Sequence, residues 1–283
     1  GTAPGFRVDH HDIPLFFLPG VPREMRPMYE TWVDPVVLAQ ADGQGLVRHV
    51  IRMVGISEAV LEQRVAPFRA EPGLRLGFRA AYPENQLKLL FTAEVPERRR
   101  KALVEQVCDA IGPRVYGVDS GDLAEVVGGL LAERGETIAL AESCTVGKVV
   151  AWLGGVPGAS RYLLEGAVVY SNEAKTRVCG VSPDLIVQHG AVSEEVARVL
   201  SSGIRARAAT TWGIGITGIA GPSGGSAHKP VGTVHVAING PGIDYHRCLQ
   251  LRGGRDRITT MAAATALSML RQFLVDGQRT SNG

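Results

Sequence analysis

The chain has 283 residues, of which 45% are apolar and 20% charged, and its formal net charge is +2. That length fits one large domain or two to three smaller ones with buried cores, and the composition is that of a folded globular protein. A balance so near neutral gives no reason to invoke nucleic acid or an anionic membrane as the main partner. Cys108, Cys144, Cys179 and Cys248 form no CxxC pair, which disfavours a zinc knuckle or a redox pair. They read as reduced thiols of a cytoplasmic protein, and no metal or cofactor is expected. No apolar stretch is expected to approach the roughly 18 residues that span a bilayer, and no signal peptide is visible. The seven histidines are scattered.

The first residues, Gly-Thr-Ala-Pro-Gly, are turn chemistry without an element. Leu15–Leu18 is a short apolar run that ends in a double-proline turn, and a helix-compatible stretch follows from Arg23 to about Leu38. A polar, Gly-rich boundary is expected at 41–45. Residues 46–117 read as a small α/β unit. LVRHVIRMV (46–54), LRLGFRAAY (74–82) and QLKLLFTAEV (86–95) are its strands. Its helices are one capped by Ser57 and one between Pro96 and Ile111 that Gly112-Pro113 stops. Residues 118–276 read as one α/β sheet domain with flanking helices, followed by a polar tail over 277–283. The pattern predicts helices over 122–134, 146–153, 193–207 and 256–274. It predicts strands over 137–141, 166–170, 212–217, 232–238 and 245–251, the last two a hairpin around 239–242. The fold class is therefore α/β, with divisions at 1–45, 46–117, 118–276 and 277–283.

Four loops at strand ends could carry chemistry. Ala141-Glu142-Ser143-Cys144-Thr145 sits at a strand-to-helix junction, where free backbone N–H groups and the positive helix end would stabilise an oxyanion. A serine there is ordinarily a helix cap, and as a nucleophile it needs a base. Tyr170-Ser171-Asn172-Glu173-Ala174-Lys175 follows the next strand. Lys175 can be a base only if burial or a neighbouring cation keeps it neutral; otherwise it is a surface lysine opening a helix. Tyr170 and Asn172 are placed to orient it or a substrate. The Gly-rich run from Thr217 to Gly225 lets backbone approach a ligand, but it is neither a Walker loop nor a GxGxxG fingerprint. Arg252-Gly-Gly-Arg-Asp-Arg257, before the last helix, is either a phosphate site or a solvated basic loop. In open α/β sheets such loops converge on one crevice, but convergence alone names no reaction.

The ordered set AESCT, YSNEAK, HGAVS, GIAGPSGG and KPVGTV resembles the CinA C-terminal domain over about 118–276. The resemblance implies a nicotinamide mononucleotide deamidase that uses a Ser–Lys pair, here Ser143 and Lys175, with Tyr170 in the same catalytic group. It implies substrate contacts from Thr145, Asn172, Gly218, Gly221, Gly224, Gly225 and Arg255, with Arg257 as an alternative phosphate ligand. It also implies a homodimer, no metal, and no nucleic-acid or membrane partner. Residues 15–25 and 46–117 resemble the family's N-terminal region, the tail of a molybdopterin-binding-like domain and then a KH-like domain. On that reading the chain lacks the nucleotide-binding part needed for ADP-ribose pyrophosphatase activity. The unit over 46–117 also lacks the GxxG loop of RNA-binding KH folds. Two alternatives stand beside the deamidase: Cys144 as the nucleophile, or a catalytically silent ligand- or partner-binding protein. The family pattern runs ESCTGG, whereas this chain has Val146. A β-branched residue fits badly if that position needs φ > 0 and is tolerated if it opens the helix.

Overall fold

The structure, a computed structural model, describes residues 3–11, 13–40 and 45–281, with backbone alone at 40 and 276–281. Phe6–His10 (β1) and Ile13–Phe17 (β2) pair antiparallel, a strand ribbon that was not expected after the turn chemistry of the first five residues, and the apolar run at Leu15–Leu18 falls largely in β2. The alternating Phe6 and Val8 carry that strand, behind a Gly/Pro-rich start that masks it. Pro22–Met28 (α1), a π-helical turn over Tyr29–Val33 and Asp34–Gln40 (α2) form the expected helical stretch. Pro27 and Pro35 each remove a backbone donor there, and the wider turn lies between them. The expected boundary at 41–45 falls almost wholly outside the described residues.

Val47–Val54 (β3), Leu74–Ala81 (β4), Glu84–Phe91 (β5) and Val115–Val118 (β6) make an antiparallel sheet in the order β4-β5-β3-β6. Glu58–Val65 (α3), capped by Ser57, and Glu97–Ile111 (α4) cover it over a core that includes Ile51, Leu87, Phe91, Leu103 and Val107. The short β6 has no legible alternation. Asp119 secures its end: the Asp119 carboxylate accepts from Val50 N–H at 2.7 Å, and Asp119 N–H donates to Val50 O at 2.8 Å.

The second sheet comprises Ile138–Glu142 (β7), Leu163–Val168 (β8), Trp212–Gly218 (β9), Thr233–Gly240 (β10) and Ile243–Gln250 (β11). Its order is β11-β10-β9-β7-β8. β7 runs parallel to β8 and β9, while β10 opposes both β9 and β11. The C-terminal ends of β8, β7, β9 and β11 therefore share one edge. Leu123–Arg134 (α5), Lys148–Gly154 (α6) and Arg255–Ser281 (α10) cover one face; Asn172–Cys179 (α7) and Glu194–Ala208 (α9) cover the other, with Pro183–His189 (α8) beside them. β7 shows the two-residue alternation clearly: Ile138 and Leu140 join the first core, Ala139 and Ala141 the second. α5 forms as expected, with a capping box from Asp122 and Glu125 and a left-handed Gly135 at its end.

Several boundaries differ from the sequence expectation. β8 ends at Val168 rather than Tyr170. α6 begins at Lys148, because Val146 and Gly147 are both left-handed. The hairpin turn tightens to Pro241-Gly242. The backbone of α10 stays helical to Ser281 through the stretch expected to fray. α8 was not expected, although Ser182 caps it and Pro183 opens it. Contrary to the expectation of no such stretch, Arg255–Val275 is apolar and long enough to cross a bilayer by length and composition. Its Ala262, Ala263, Leu267, Leu270 and Leu274 are instead fully buried in the core of the five-stranded sheet. All four cysteines are free thiols.

The α9 helix lies unusually close to the sheet because β9 presents glycines to it. A Cβ on Gly213 would lie 2.1 Å from Ser201 O, and one on Gly215 would lie 2.4 Å from Ala197 O. Both obstacles are backbone and cannot swing aside. Gly215→Ala should therefore destabilise the protein by about 2 kcal/mol or more, read from urea unfolding. Gly129→Ala, in α5 with nothing within 4 Å of the new methyl, should stabilise it by about 0.5–1 kcal/mol. Equal effects of the two would show that close approach of α9 is not the constraint.

Candidate active site

β7 delivers Ser143 to the shared strand edge. Ser143 N–H donates to Ile216 O at 2.9 Å, carrying the β7–β9 ladder one residue past the strand. The preceding Glu142 is fully buried, and its Oε1 accepts from Val150 N–H at 2.9 Å. That bond caps α6 from behind, a function Gly147 at the N-cap position has no side chain to perform. Within the intervening turn, Val146 N–H donates to Ser143 O at 3.3 Å and Lys148 N–H to Thr145 O at 3.1 Å. Among the described residues, the N–H groups of Cys144 and Thr145 donate to no backbone carbonyl. With the N–H groups of Gly147 and Val149, they are the donors at this helix end that have no partner among the described residues.

Lys175 enters from the neighbouring strand end. Val169 N–H donates to Glu142 O at 2.8 Å, and Ser171 caps α7 through Ala174 N–H at 3.1 Å. Lys175, near the start of that helix, is only 2% exposed. Its Nζ donates to Tyr170 O at 3.0 Å and to Ser171 O at 3.5 Å. Burial lowers its pKa from the ordinary lysine value, and the opposing pull of Cys144, Glu173 and Cys179 is smaller. Among the described residues, no hydrogen bond joins Lys175 Nζ to Ser143 Oγ.

The third component is Arg255, the first residue of α10. Its guanidinium donates to Gly221 O at 2.9 Å and to Tyr170 Oη at 3.1 Å. Next to it, Asp256 pairs with Lys148 at 2.8 Å, joining the starts of α10 and α6. Arg257 points elsewhere: its guanidinium carbon lies 4.5 Å from the centroid of the Tyr82 ring, against the four-stranded sheet. The geometry therefore selects Arg255 over Arg257 as the arginine of this site.

Together these residues line a pocket of about 220 Å³. Of the site residues expected from sequence, Ser143, Tyr170, Asn172, Lys175, Gly218 and Arg255 lie on it. Thr145, Gly221, Gly224 and Gly225 do not. The Thr145 side chain is buried, with no partner for its Oγ1 among the described residues. Gly221 contributes only its carbonyl to Arg255, and Gly224 and Gly225 lie on an exposed turn. Sequence reasoning missed Ala191, Val192, Thr217 and Ala220. The signal was present in HGAVS and KPVGTV, because Lys229 Nζ donates to His189 O at 2.8 Å and Val192 O at 2.7 Å and so fixes that wall. Cys144 also borders the pocket, but burial pushes its thiol up to about 12. A Cβ on Gly218 would lie 3.0 Å from its Sγ, within the core. Such a thiol stays protonated near neutral pH and makes a poor nucleophile.

Residues 120–274 match the family model described as the CinA C-terminal domain. A CinA-like protein from Anaeromyxobacter sp. (strain K) is 43% identical over 277 residues, covering 97% of this chain and 68% of that protein. One from Myxococcus xanthus (strain DK1622) is 41% identical, covering 99% of this chain and 69% of its own length. The chain belongs to the CinA family. Among solved structures, a CinA superfamily protein from Klebsiella pneumoniae is 32% identical with a TM-score of 0.53, covering 54% of this chain and 96% of that one. The competence/damage inducible protein CihA from Agrobacterium tumefaciens is 33% identical with a TM-score of 0.51, covering 53% of this chain and 94% of its own.

Within the CinA domain matched over 120–274, Val146 and Ala209 are the described non-glycine residues with left-handed backbone, and Val146 is the β-branched one. Val146 adopts φ 52, left-handed, and the following Gly147 adopts φ 82. The first glycine of the CinA pattern ESCTGG thus falls where positive φ is required, and here a β-branched residue occupies it. The Val146 side chain is 53% exposed and gains little from packing. A left-handed non-glycine residue stores about 1–3 kcal/mol, partly offset by the greater freedom of glycine in the unfolded chain. Val146→Gly should therefore raise stability by about 1 kcal/mol, measured as a shift in the chemical-denaturation midpoint. A lowered midpoint would show that the turn is not strained.

Proposed function

We propose that this CinA-family chain is an amidohydrolase that converts nicotinamide mononucleotide to nicotinate mononucleotide and ammonia. The observation that carries the reading is the pocket shared by a serine at a helix start, a buried lysine of lowered pKa and an arginine. Ser143 Oγ attacks the carboxamide carbon while neutral Lys175 accepts its proton. The N–H groups of Cys144 and Thr145 receive the oxyanion. Lys175 then returns the proton to the departing ammonia, leaving an acyl-serine. Lys175 next takes a proton from water as it attacks the ester and passes that proton to the departing Ser143 Oγ, so that serine and neutral lysine are restored and the acid product leaves as its carboxylate. Tyr170 positions both partners, Lys175 through its carbonyl and Arg255 through its hydroxyl. Arg255 keeps further N–H donors for the substrate phosphate.

One observation favours a second reading, a ligand-binding protein without turnover: no hydrogen bond joins Ser143 to Lys175 among the described residues. Catalytic hydrogen bonds commonly tighten only with substrate in place, which keeps the first reading in front. Ammonia release from nicotinamide mononucleotide by the purified, folded chain separates the two.

If the first reading holds, Ser143→Ala should lower kcat/KM by about 1000-fold or more, whereas Cys144→Ala should retain most of the rate. The reverse pattern would transfer the nucleophile to Cys144. The pH profile has a defined sign. Protonated Lys175 cannot accept a proton, so kcat/KM should fall as pH drops through its pKa, and that limb should lie below the ordinary lysine range. A rate that is flat with pH up to the ordinary lysine range would remove Lys175 as the base.

A further inference from the structure

A second concavity, of about 1080 Å³, opens between the four-stranded sheet and the side of the five-stranded sheet formed by β11 and α10. One face of α10 floors it, with Arg257, Met261, Thr265, Ser268 and Gln272 recurring at three- and four-residue spacing. The cleft is separate from the Ser143 pocket, and the two sites use different residues of α10: Arg255 for the pocket, Arg257 for the cleft.

Four arginines and two glutamates line this cleft. Arg114, Arg247 and Arg252 reach it from three different segments: the turn after α4, β11, and the loop before α10. Among the described residues, none of these three guanidinium groups has an ion pair or a hydrogen bond. Gly55, at φ 72, makes room for one of them, since a Cβ there would lie 3.3 Å from Arg114 Nη1. Two carboxylates also line the cleft. Glu84 is already engaged by Tyr116 Oη at 2.5 Å, Leu123 N–H at 3.3 Å and Arg52 at 3.6 Å. Glu58 is left to oppose the arginines. A chain whose net charge is only +2 thus gathers unpaired guanidinium groups on one concave surface.

Planar guanidinium forks match the paired oxygens of phosphates, and arginines from several directions suit a group with more than one phosphate. The volume is at the upper end for small-molecule sites, beyond what a lone inorganic anion needs. Tyr82 lines the same cleft, with the Arg257 guanidinium stacked over one face of its ring. We propose that this cleft is a second ligand site, which takes a pyrophosphate-bearing nucleotide through Arg114, Arg247 and Arg252. The proposal does not depend on deamidase activity, because its test reads binding alone.

Isothermal titration calorimetry on the full chain, with ADP, inorganic pyrophosphate and adenosine as probes, provides that test. ADP and pyrophosphate should bind and adenosine should not, with ADP affinity falling as salt rises. Arg247→Ala combined with Arg252→Ala should weaken ADP binding by about tenfold or more. Arg247→Lys with Arg252→Lys should recover part of it. Matching far-UV spectra and urea midpoints will separate lost contacts from lost fold. Arg255→Ala should leave ADP affinity unchanged, because Arg255 faces the other pocket. The proposal is overturned if ADP gives no heat at millimolar concentration or if adenosine binds as well as ADP. It is also overturned if the Arg247/Arg252 alanine pair binds ADP like the parent, or if Arg255→Ala abolishes binding.

Discussion

β10 runs against β9, and β11 runs against β10, so the chain reaches the end of β11 on the edge where β7, β8 and β9 already end. With only one of those reversals the loop carrying Arg255 would emerge on the far side of the sheet. With both, α10 starts beside α6, and Arg255 can reach Gly221 after β9 and Tyr170 after β8. Ladder extensions then set the positions finely. Ser143 N–H and Val169 N–H each make one further inter-strand bond beyond the strand proper. Ser143 therefore sits on a rigid continuation of the sheet although it belongs to a turn, while Lys175 and Arg255 are carried by the helices that follow the neighbouring strands.

The same edge explains the strain at Val146. Glu142 caps Val150 from within the core, and Ser143 is held by Ile216, so both ends of the turn between them are fixed. Few residues remain to bring the chain from an extended strand into α6, and two successive left-handed residues accomplish it. Helix propensity had no influence on the conformation of Val146, because the boundary is set by a carboxylate and a carbonyl on either side of it. This is why the sequence left its conformation open: the deciding partners are tertiary.

Much of the fold was legible for local reasons. Ser57, Asp122 and Ser193 cap the helices they precede, Gly135 ends α5 left-handed, and β7 alternates between two cores. The strand-end loops were legible as a group because their sequence order and the α/β pattern imply convergence. The direction of individual side chains was not. Thr145 is two residues from Ser143 yet turns into the core, and Gly224 and Gly225 project away while Ala191 and Val192 close the wall. The histidines gave the same lesson. His235 and His246 read as scattered, yet their rings meet at 2.9 Å between Nδ1 and Nε2, because they occupy adjacent antiparallel strands in a register that composition does not encode. Burial and mutual repulsion lower the pKa of His235, and burial lowers that of His246.

The surroundings of Lys175 bear directly on whether it can serve as a base. An ammonium group has three donors, and here Nζ meets two carbonyls, those of Tyr170 and Ser171. Those acceptors match the two N–H bonds of a neutral amine and leave its lone pair unassigned. A carboxylate at this depth would reverse the preference by favouring the cation. The carboxylate that acts on Lys175 is that of Glu173, whose effect is smaller than that of burial. Glu142, though fully buried nearby in sequence, is directed to the start of α6. The site thus satisfies the peptide dipoles around the lysine without supplying a counter-charge. A cationic ring entering the pocket would push the same way, since a second positive charge beside Nζ further disfavours protonation. On the proposed reading, substrate binding and activation of the base reinforce each other, and the chain needs no separate residue to discharge Lys175.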